Sequence, residues 1–302
     1  MREGAERLLA SGSESPRLDA ELLLAQAIGV GRTAVIAHPE APVGTDAARR
    51  YRSDLERRAA GEPVAYLRGM KEFYGLAFET DRRALIPRPE TERLVELARN
   101  EVLRRLGAVT RADSARPLRI VDVGTGSGAI AVALAVTLRG LRALDAVEIL
   151  AVDISPDALG LAEENTVGHG VADRIAFAEA DLLPAREAAG EPGAGPGSGD
   201  RFDLVLANLP YVRHDAMATL PRATAFEPAL ALDGGIDGLE VIARLLDRLP
   251  EALADGGVAL LEIAADQGTA IVELVTARLA GWHCSVELDL SGLPRVARIS
   301  PG

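Results

Sequence analysis

The chain has 302 residues, more than one typical domain, and its 48% hydrophobic content with only 3% aromatics implies cores of Leu, Val, Ala and Ile. Its net charge of −12 is unevenly placed, with 13 basic and 13 acidic side chains in residues 1–83 and 20 against 32 in the remainder. An acidic C-terminal part argues against broad phosphate-backbone binding, which needs Lys and Arg in excess, and suits a small-molecule or protein substrate.

Residues 1–62 read as a helical bundle. One helix starts at Ala5 and runs to Ala10. Ser15-Pro16 stops the chain and opens a second, Arg17 to Ile28, with Leu18, Leu22, Leu23 and Ile28 at helical spacing. Thr33 to Ala37 is a short third helix, and Thr45 can cap a fourth running to Ala60. The bundle carries no catalytic constellation, and His38 beside Pro39 reads as a loop or packing residue. Residues 63–90 change texture: Tyr66, Leu67, Phe73, Tyr74, Leu76 and Phe78 alternate with polar residues, which suggests a hairpin with turns at Gly69 and Gly75. Leu85-Ile-Pro-Arg-Pro-Glu-Thr-Glu92 is held extended by its prolines. It is a stiff linker, or a segment that brings Arg88 and Glu90 to the mouth of a ligand site. A helix from Glu92 to Leu106 opens the third region, 91–302.

That region alternates strands and helices. Leu118 to Val123 is an apolar strand with Asp122 near its end, followed by Gly124, Gly126 and Gly128 and by a buried helix, Ser127 to Leu138. The glycines allow a tight turn and close approach of backbone to a ligand, and the helix start presents free amides. The pattern D-x-G-x-G-x-G differs from the G-x-G-x-x-G of dinucleotide sites. Strand Val147 to Val152 ends in Asp153, which can accept two ribose hydroxyl protons or cap the helix from Pro156 to Val167. Strand Arg174 to Ala178 leads to Asp181, a candidate adenine contact or a turn residue. The Gly/Pro/Ala-rich segment 184–200 reads as a flexible insertion. Strand Phe202 to Ala207 ends in Asn208-Leu-Pro-Tyr211. Helix Gly238 to Ala254, a turn at Asp255-Gly-Gly257, strand Val258 to Ile263, helix Gln267 to Leu279 and strands His283 to Leu288 and Arg295 to Ile299 complete the chain. Trp282 and His283 read as packing residues. The order predicts a mostly parallel, doubly wound sheet with an antiparallel edge. Ligands then bind beyond the strand C-termini, where Asp122, Asp153, Asp181 and Asn208 all stand.

The single cysteine, Cys284, leaves no internal disulfide or cysteine zinc site, and no metal site is expected. No signal-peptide core and no apolar run near ~18 residues are present, so a cytoplasmic protein without a membrane span is expected.

The glycine turn resembles motif I of the class I S-adenosylmethionine-dependent methyltransferases, whose cofactor has no phosphate. Asn208-Leu-Pro-Tyr211 resembles their motif IV, N/D-P-P-Y/F/W, found in enzymes acting on planar nitrogens. An amide nitrogen is a poor nucleophile because its lone pair is delocalised. Two acceptors, the Asn208 side-chain oxygen and the Leu209 carbonyl, can grip its two N–H bonds and aim it, with Tyr211 against the amide plane. Together with Leu85 to Glu92, Phe226-Glu-Pro228 and Gly234-Gly-Ile-Asp-Gly-Leu239, these motifs look like the PrmC/HemK family, the peptide chain release factor glutamine methyltransferases.

The resemblance implies a Rossmann-like class I methyltransferase domain behind a substrate-recognising helical bundle. It implies methyl transfer from S-adenosyl-L-methionine to the glutamine side-chain amide in the Gly-Gly-Gln motif of class 1 release factors. Gly124, Thr125, Gly126, Ser127, Gly128, Asp153, Asp181, Leu182 and Asn208 are expected at the cofactor, and Asn208, Leu209, Pro210 and Tyr211 at the substrate amide. A monomer that binds release factors and no nucleic acid is expected. Alternatives are a ribosomal-protein glutamine or nucleic-acid adenine N-methyltransferase. The chain departs from the family pattern at Leu209, where proline is usual, at Leu182, where an aromatic residue can stand, and in the length of 184–200.

Overall fold

The computed structural model describes residues 1–108, 116–184 and 201–302. Helices α1 (Arg2–Ala10), α2 (Pro16–Ile28), α3 (Arg32–Ala37) and α4 (Thr45–Ala59) form the N-terminal bundle. Ser15 and Pro16 open α2, since proline's fixed φ suits a first helical turn. Gly29 closes it at φ 74°. The buried stripe of α2 is Ala20, Leu23, Leu24 and Ala27, packed on Leu8, Val35, Tyr51 and Leu55. Leu18 and Ile28, expected on that stripe, are exposed, because the small alanines face inward instead. Thr45 is the first residue of α4 rather than its cap, a place taken by Gly44.

The expected hairpin is shorter than the alternation suggests. Tyr66 and Leu67 lie in a helical turn, α5 (Val64–Arg68), ended by Gly69 at φ 67°. The strands are β1 (Met70–Phe73) and β2 (Leu76–Glu79), joined through Tyr74 and Gly75, both at positive φ. That two-residue turn matches the right-handed twist of the paired strands. The Tyr66 hydroxyl donates to the Ala84 carbonyl at 2.8 Å, a polar handle that a strand register cannot satisfy. Phe73 and Phe78 meet edge to face and are buried in the core of the larger lobe.

That lobe is a seven-stranded sheet of β3 (Leu118–Val123), β4 (Val147–Asp153), β5 (Ile175–Glu179), β6 (Phe202–Ala207), β7 (Leu253–Glu262), β8 (Trp282–Leu288) and β9 (Pro294–Pro301). Its order is β5-β4-β3-β6-β7-β9-β8, with the first five strands parallel. Helices α6 (Glu92–Ala108), α7 (Ala129–Gly140), α8 (Pro156–Gly168), α9 (Glu240–Ala252) and α10 (Gly268–Arg278) cover it. Alternate strand residues feed two cores: Ile120, Leu204 and Leu260 pack with α6 and α7, and Val121, Val205 and Leu261 with α9 and α10.

Two details of the sheet refine the sequence reading. Only β9 runs antiparallel; it inserts between β7 and β8, so the edge strand β8 has the sense of β7. The turn expected at Asp255-Gly-Gly257 is a break of register inside β7, where Leu253 pairs with Phe202 and Val258 with Leu204; Gly256 there has φ 71°. Trp282 packs on the second core, but His283 is exposed, because successive residues of an edge strand face opposite sides. Most of segment 184–200 lies outside the described residues. Among the described residues no helix is long and apolar enough to cross a membrane.

The chain passes from β3 to β4 to β5 on one side and to β6 on the other. The strand C-termini of β3, β4 and β6 therefore flank a switch point, where a crevice opens.

Candidate active site

Three left-handed glycines shape the turn after β3: Gly124 (φ 71°), Gly126 (φ 56°) and Gly128 (φ 77°). The Gly124 and Thr125 amides both donate to the Val152 carbonyl, at 2.8 and 2.9 Å. Below them Asp122 is fully buried. Its Oδ2 accepts from the Thr125 hydroxyl at 2.7 Å and from the Ala131 amide at 3.3 Å. Burial pushes its carboxyl up to about 7, and the two hydrogen bonds pull the other way.

Asp153 is placed by β4 so that Oδ2 accepts from the Gly126 amide and Oδ1 from the Ser155 amide, both at 2.9 Å. It ties the glycine turn to the start of α8. The cap of α8 is Ser155, whose hydroxyl accepts from the Ala158 amide at 3.3 Å. Each Asp153 oxygen retains acceptor capacity toward the crevice, since a carboxylate oxygen accepts more than one bond.

A cavity of about 260 Å³ lies here, lined by Gly124 to Ser127, Asp153, Asp181, Leu182 and Asn208 among others. Gly128 does not line it. A Cβ on Gly128 would stand 3.1 Å from the Ala162 Cβ and 3.3 Å from its Cα, so this glycine serves close packing of α7 on α8. Asp181 is half exposed and paired with Arg244 of α9; an adenine amino group would share it with that arginine. Leu182 is a buried, non-glycine residue at φ 68°, an uncommon conformation for a branched side chain and one that turns it into the cavity wall.

The arginines on the cavity wall are all engaged. Arg83 holds Asp81 and Glu164, Arg88 holds Glu227, and Arg244 holds Asp181. A pyrophosphate would find no spare cation there among the described residues. The amides, the acceptor Asp153 and the apolar walls suit an uncharged adenosine.

The motif after β6 stands beside this cavity. Asn208 lines both the main cavity and a second one of about 170 Å³, which Tyr211 also lines. The Asn208 Nδ2 donates to the Thr91 hydroxyl at 3.0 Å. Its Oδ1 and the Leu209 carbonyl receive no hydrogen bond among the described residues. Leu209 is buried, and its Cδ2 lies 3.0 Å from where a Gly124 Cβ would stand. Leucine therefore braces the loop on the glycine turn where proline would have stiffened it. Burial raises the Tyr211 phenol above its ordinary value, and its hydroxyl reaches the Glu262 Oε1 at 3.4 Å.

Gly234 and Gly238 pack on the motif's backbone. A Cβ on Gly234 would come within 2.7 Å of the Pro210 carbonyl oxygen. In Phe226-Glu-Pro228, Glu227 is buried and accepts from the Ile86 amide at 3.0 Å and from Arg88. The linker is thereby clamped over the site. Arg88 reaches both cavities, whereas Glu90 lines neither.

Sequence reasoning placed Thr91 only at a helix start and Glu227 only within the Phe226-Glu-Pro228 motif, and missed Glu262. Glu262 had a signal: an acid closing an apolar strand, as at Asp122 and Asp153. Thr91 had none, since its partner is 117 residues away.

Residues 1–69 match the family model of the PrmC N-terminal domain, and residues 115–267 that of a methyltransferase domain. The release factor glutamine methyltransferase of Moorella thermoacetica is 40% identical over 293 residues, 97% of this chain and 94% of that protein. The one from Deinococcus radiodurans is 37% identical over 298 residues, 99% and 96% of the two chains. The chain belongs to the release factor glutamine methyltransferase family.

The crystal structure of the hMettl16 catalytic domain in complex with MAT2A 3'UTR hairpin 6 is alike in fold, with TM-score 0.52 and 15% identity over 82% of this chain and 81% of that one. For this chain the methyl donor is S-adenosylmethionine. Gly124 to Ser127, Asp153 and Asn208 line the cavity that could hold it.

Proposed function

We infer that the protein methylates the side-chain amide of the glutamine in the Gly-Gly-Gln motif of class 1 release factors. The observation that carries this reading is the Asn208 carboxamide. Thr91 fixes its Nδ2 end, so Oδ1 is the end left for a substrate N–H. The Leu209 carbonyl supplies a second acceptor one residue on. Held by both, a planar amide nitrogen is aimed rather than deprotonated, and the rate comes from positioning and electrostatics.

S-adenosylmethionine supplies an electrophilic methyl carbon on a sulfonium. The chain does the rest. Asn208 and Leu209 orient the nitrogen, Tyr211 flanks the amide plane, and the clamped linker walls one side of the site. As the nitrogen gains its methyl group it turns cationic. The two acceptors stabilise that charge, and the surplus N–H proton then passes to water.

The helical bundle is read as the surface that receives the release factor, and the protein as a cytoplasmic monomer. Ribosomal-protein and nucleic-acid readings are not favoured: close relatives over nearly the whole chain carry the release-factor name.

The test is Asn208→Ala with purified release factor and labelled donor. Methyl transfer should fall by at least ~10²-fold, the scale of losing one transition-state hydrogen-bond partner. S-adenosylhomocysteine affinity should stay within a few-fold. Equal loss of both would remove Asn208 from this role.

A further inference from the structure

Behind the site, Glu262 closes β7 with its side chain wholly buried. One oxygen takes the Tyr211 hydroxyl at 3.4 Å, and Oε2 has no hydrogen-bond partner. An unpartnered buried carboxylate oxygen is costly. The Thr91 hydroxyl lies close enough to lower the proton affinity of this carboxyl. That hydroxyl already accepts from Asn208, and its own proton has no other acceptor among the described residues. A Thr91 proton given to this carboxyl completes a chain from Glu262 through Thr91 to Asn208.

We propose that Glu262 is a positioning residue for methyl transfer, acting through Thr91 to set which end of the Asn208 carboxamide faces the substrate amide. The chain has direction. A carboxylate accepts the Thr91 proton, which obliges Thr91 to accept from Nδ2 and leaves Oδ1 toward the glutamine. A protonated Glu262 can donate to Thr91 instead. The Thr91 proton then seeks Oδ1, the carboxamide turns over, and an NH₂ group meets the substrate N–H. The groups facing Glu262 are Thr91 and Glu90 before α6, Tyr211 after β6 and Arg295 on β9. Burial outweighs the downward pull of Thr91, Arg295 and Tyr211 and holds the carboxyl up at about 7. The switch therefore falls within the working pH range.

This inference rests on the role assigned to Asn208, so Asn208→Ala is measured beside it. In the full chain with release factor and labelled donor, Glu262→Ala and Thr91→Val should each lower kcat ~10- to 100-fold, with S-adenosylhomocysteine Kd within twofold of wild type. The double variant should be no worse than the worse single one, since both break one chain. Glu262→Gln, nearly isosteric and safe for folding, should keep most of the rate at pH 6 to 7. It should also lose the rise of kcat between pH 6 and 8 that is expected of the wild type. An inactive Asn208→Ala beside a Glu262→Gln that keeps the wild-type pH rise would overturn the proposal, as would losses that multiply in the double variant. An active Asn208→Ala would overturn the reading of Asn208 and this inference with it.

Discussion

Asp153→Ala tests the cofactor side of the site most directly. The carboxylate makes two charge-assisted bonds to main-chain amides, Gly126 and Ser155, both at 2.9 Å. Hydrogen bonds to charged groups contribute about 1.5–3 kcal/mol each when buried. Asp153 is only partly buried, so the lower end applies, about 1 kcal/mol each after solvent competition. On the proposed placement of the donor, loss of the Gly126 bond loosens the turn facing it, and the ribose hydroxyls lose their acceptor as well. Together these give about 2–3 kcal/mol, a Kd for S-adenosylhomocysteine raised ~30- to 150-fold. The fold itself should lose about 1–2 kcal/mol. Calorimetric titration reads the first quantity and denaturant unfolding the second. Asp153→Asn should resemble the alanine variant, because its amide NH₂ must face one of the two backbone N–H groups. A Kd within threefold of wild type for both variants would refute the reasoning.

Gly128→Ala should cost about 2–4 kcal/mol in urea unfolding, from ~1–2 for the left-handed backbone and the rest for the contact with Ala162. Gly170→Ala, also at positive φ but facing only the flexible Arg139 tip, should cost about half that or less. Equal losses would mean that packing on α8 is unimportant. Asp122 has a folded-state value of about 7 against 3.8 for the free group. Its contribution to stability is therefore fully present below pH ~4 and lost as the pH rises through ~7. Asp122→Asn should flatten that window in melts recorded from pH 5 to 8, and an unchanged slope would show that Asp122 does not titrate there.

Much of this fold lay open in the primary structure because its central strands are buried on both faces. Continuous apolar runs gave β3 and β6 the same limits in the sequence as in space. The glycine turn and Asp153 were legible because a special backbone conformation and a strand-end acid leave local marks. Elements decided by distant partners were not. Tyr66 and Leu67 looked like strand residues until the bond from Tyr66 to Ala84 and the turn at Gly69 made them helical. The insertion of β9 between β7 and β8 is a matter of pairing, which composition does not encode. Thr91 reads as an ordinary helix-start residue, and only the return of the chain after β6 makes it the partner of Asn208.

Asn165 of α8 grips the Glu79 peptide on both sides, accepting from its N–H at 2.8 Å and donating to its carbonyl at 3.1 Å. The same side chain donates to the Ser127 carbonyl at 3.0 Å. One amide thus rivets the hairpin that follows the bundle to the glycine turn after β3, beside the His169–Ala77 and Arg83–Glu164 contacts. Both partners are main chain, so the rivet is indifferent to which side chains occupy 79 and 127. A change of side chain at 79 therefore leaves the rivet intact, whereas a change at 165 removes all three bonds at once.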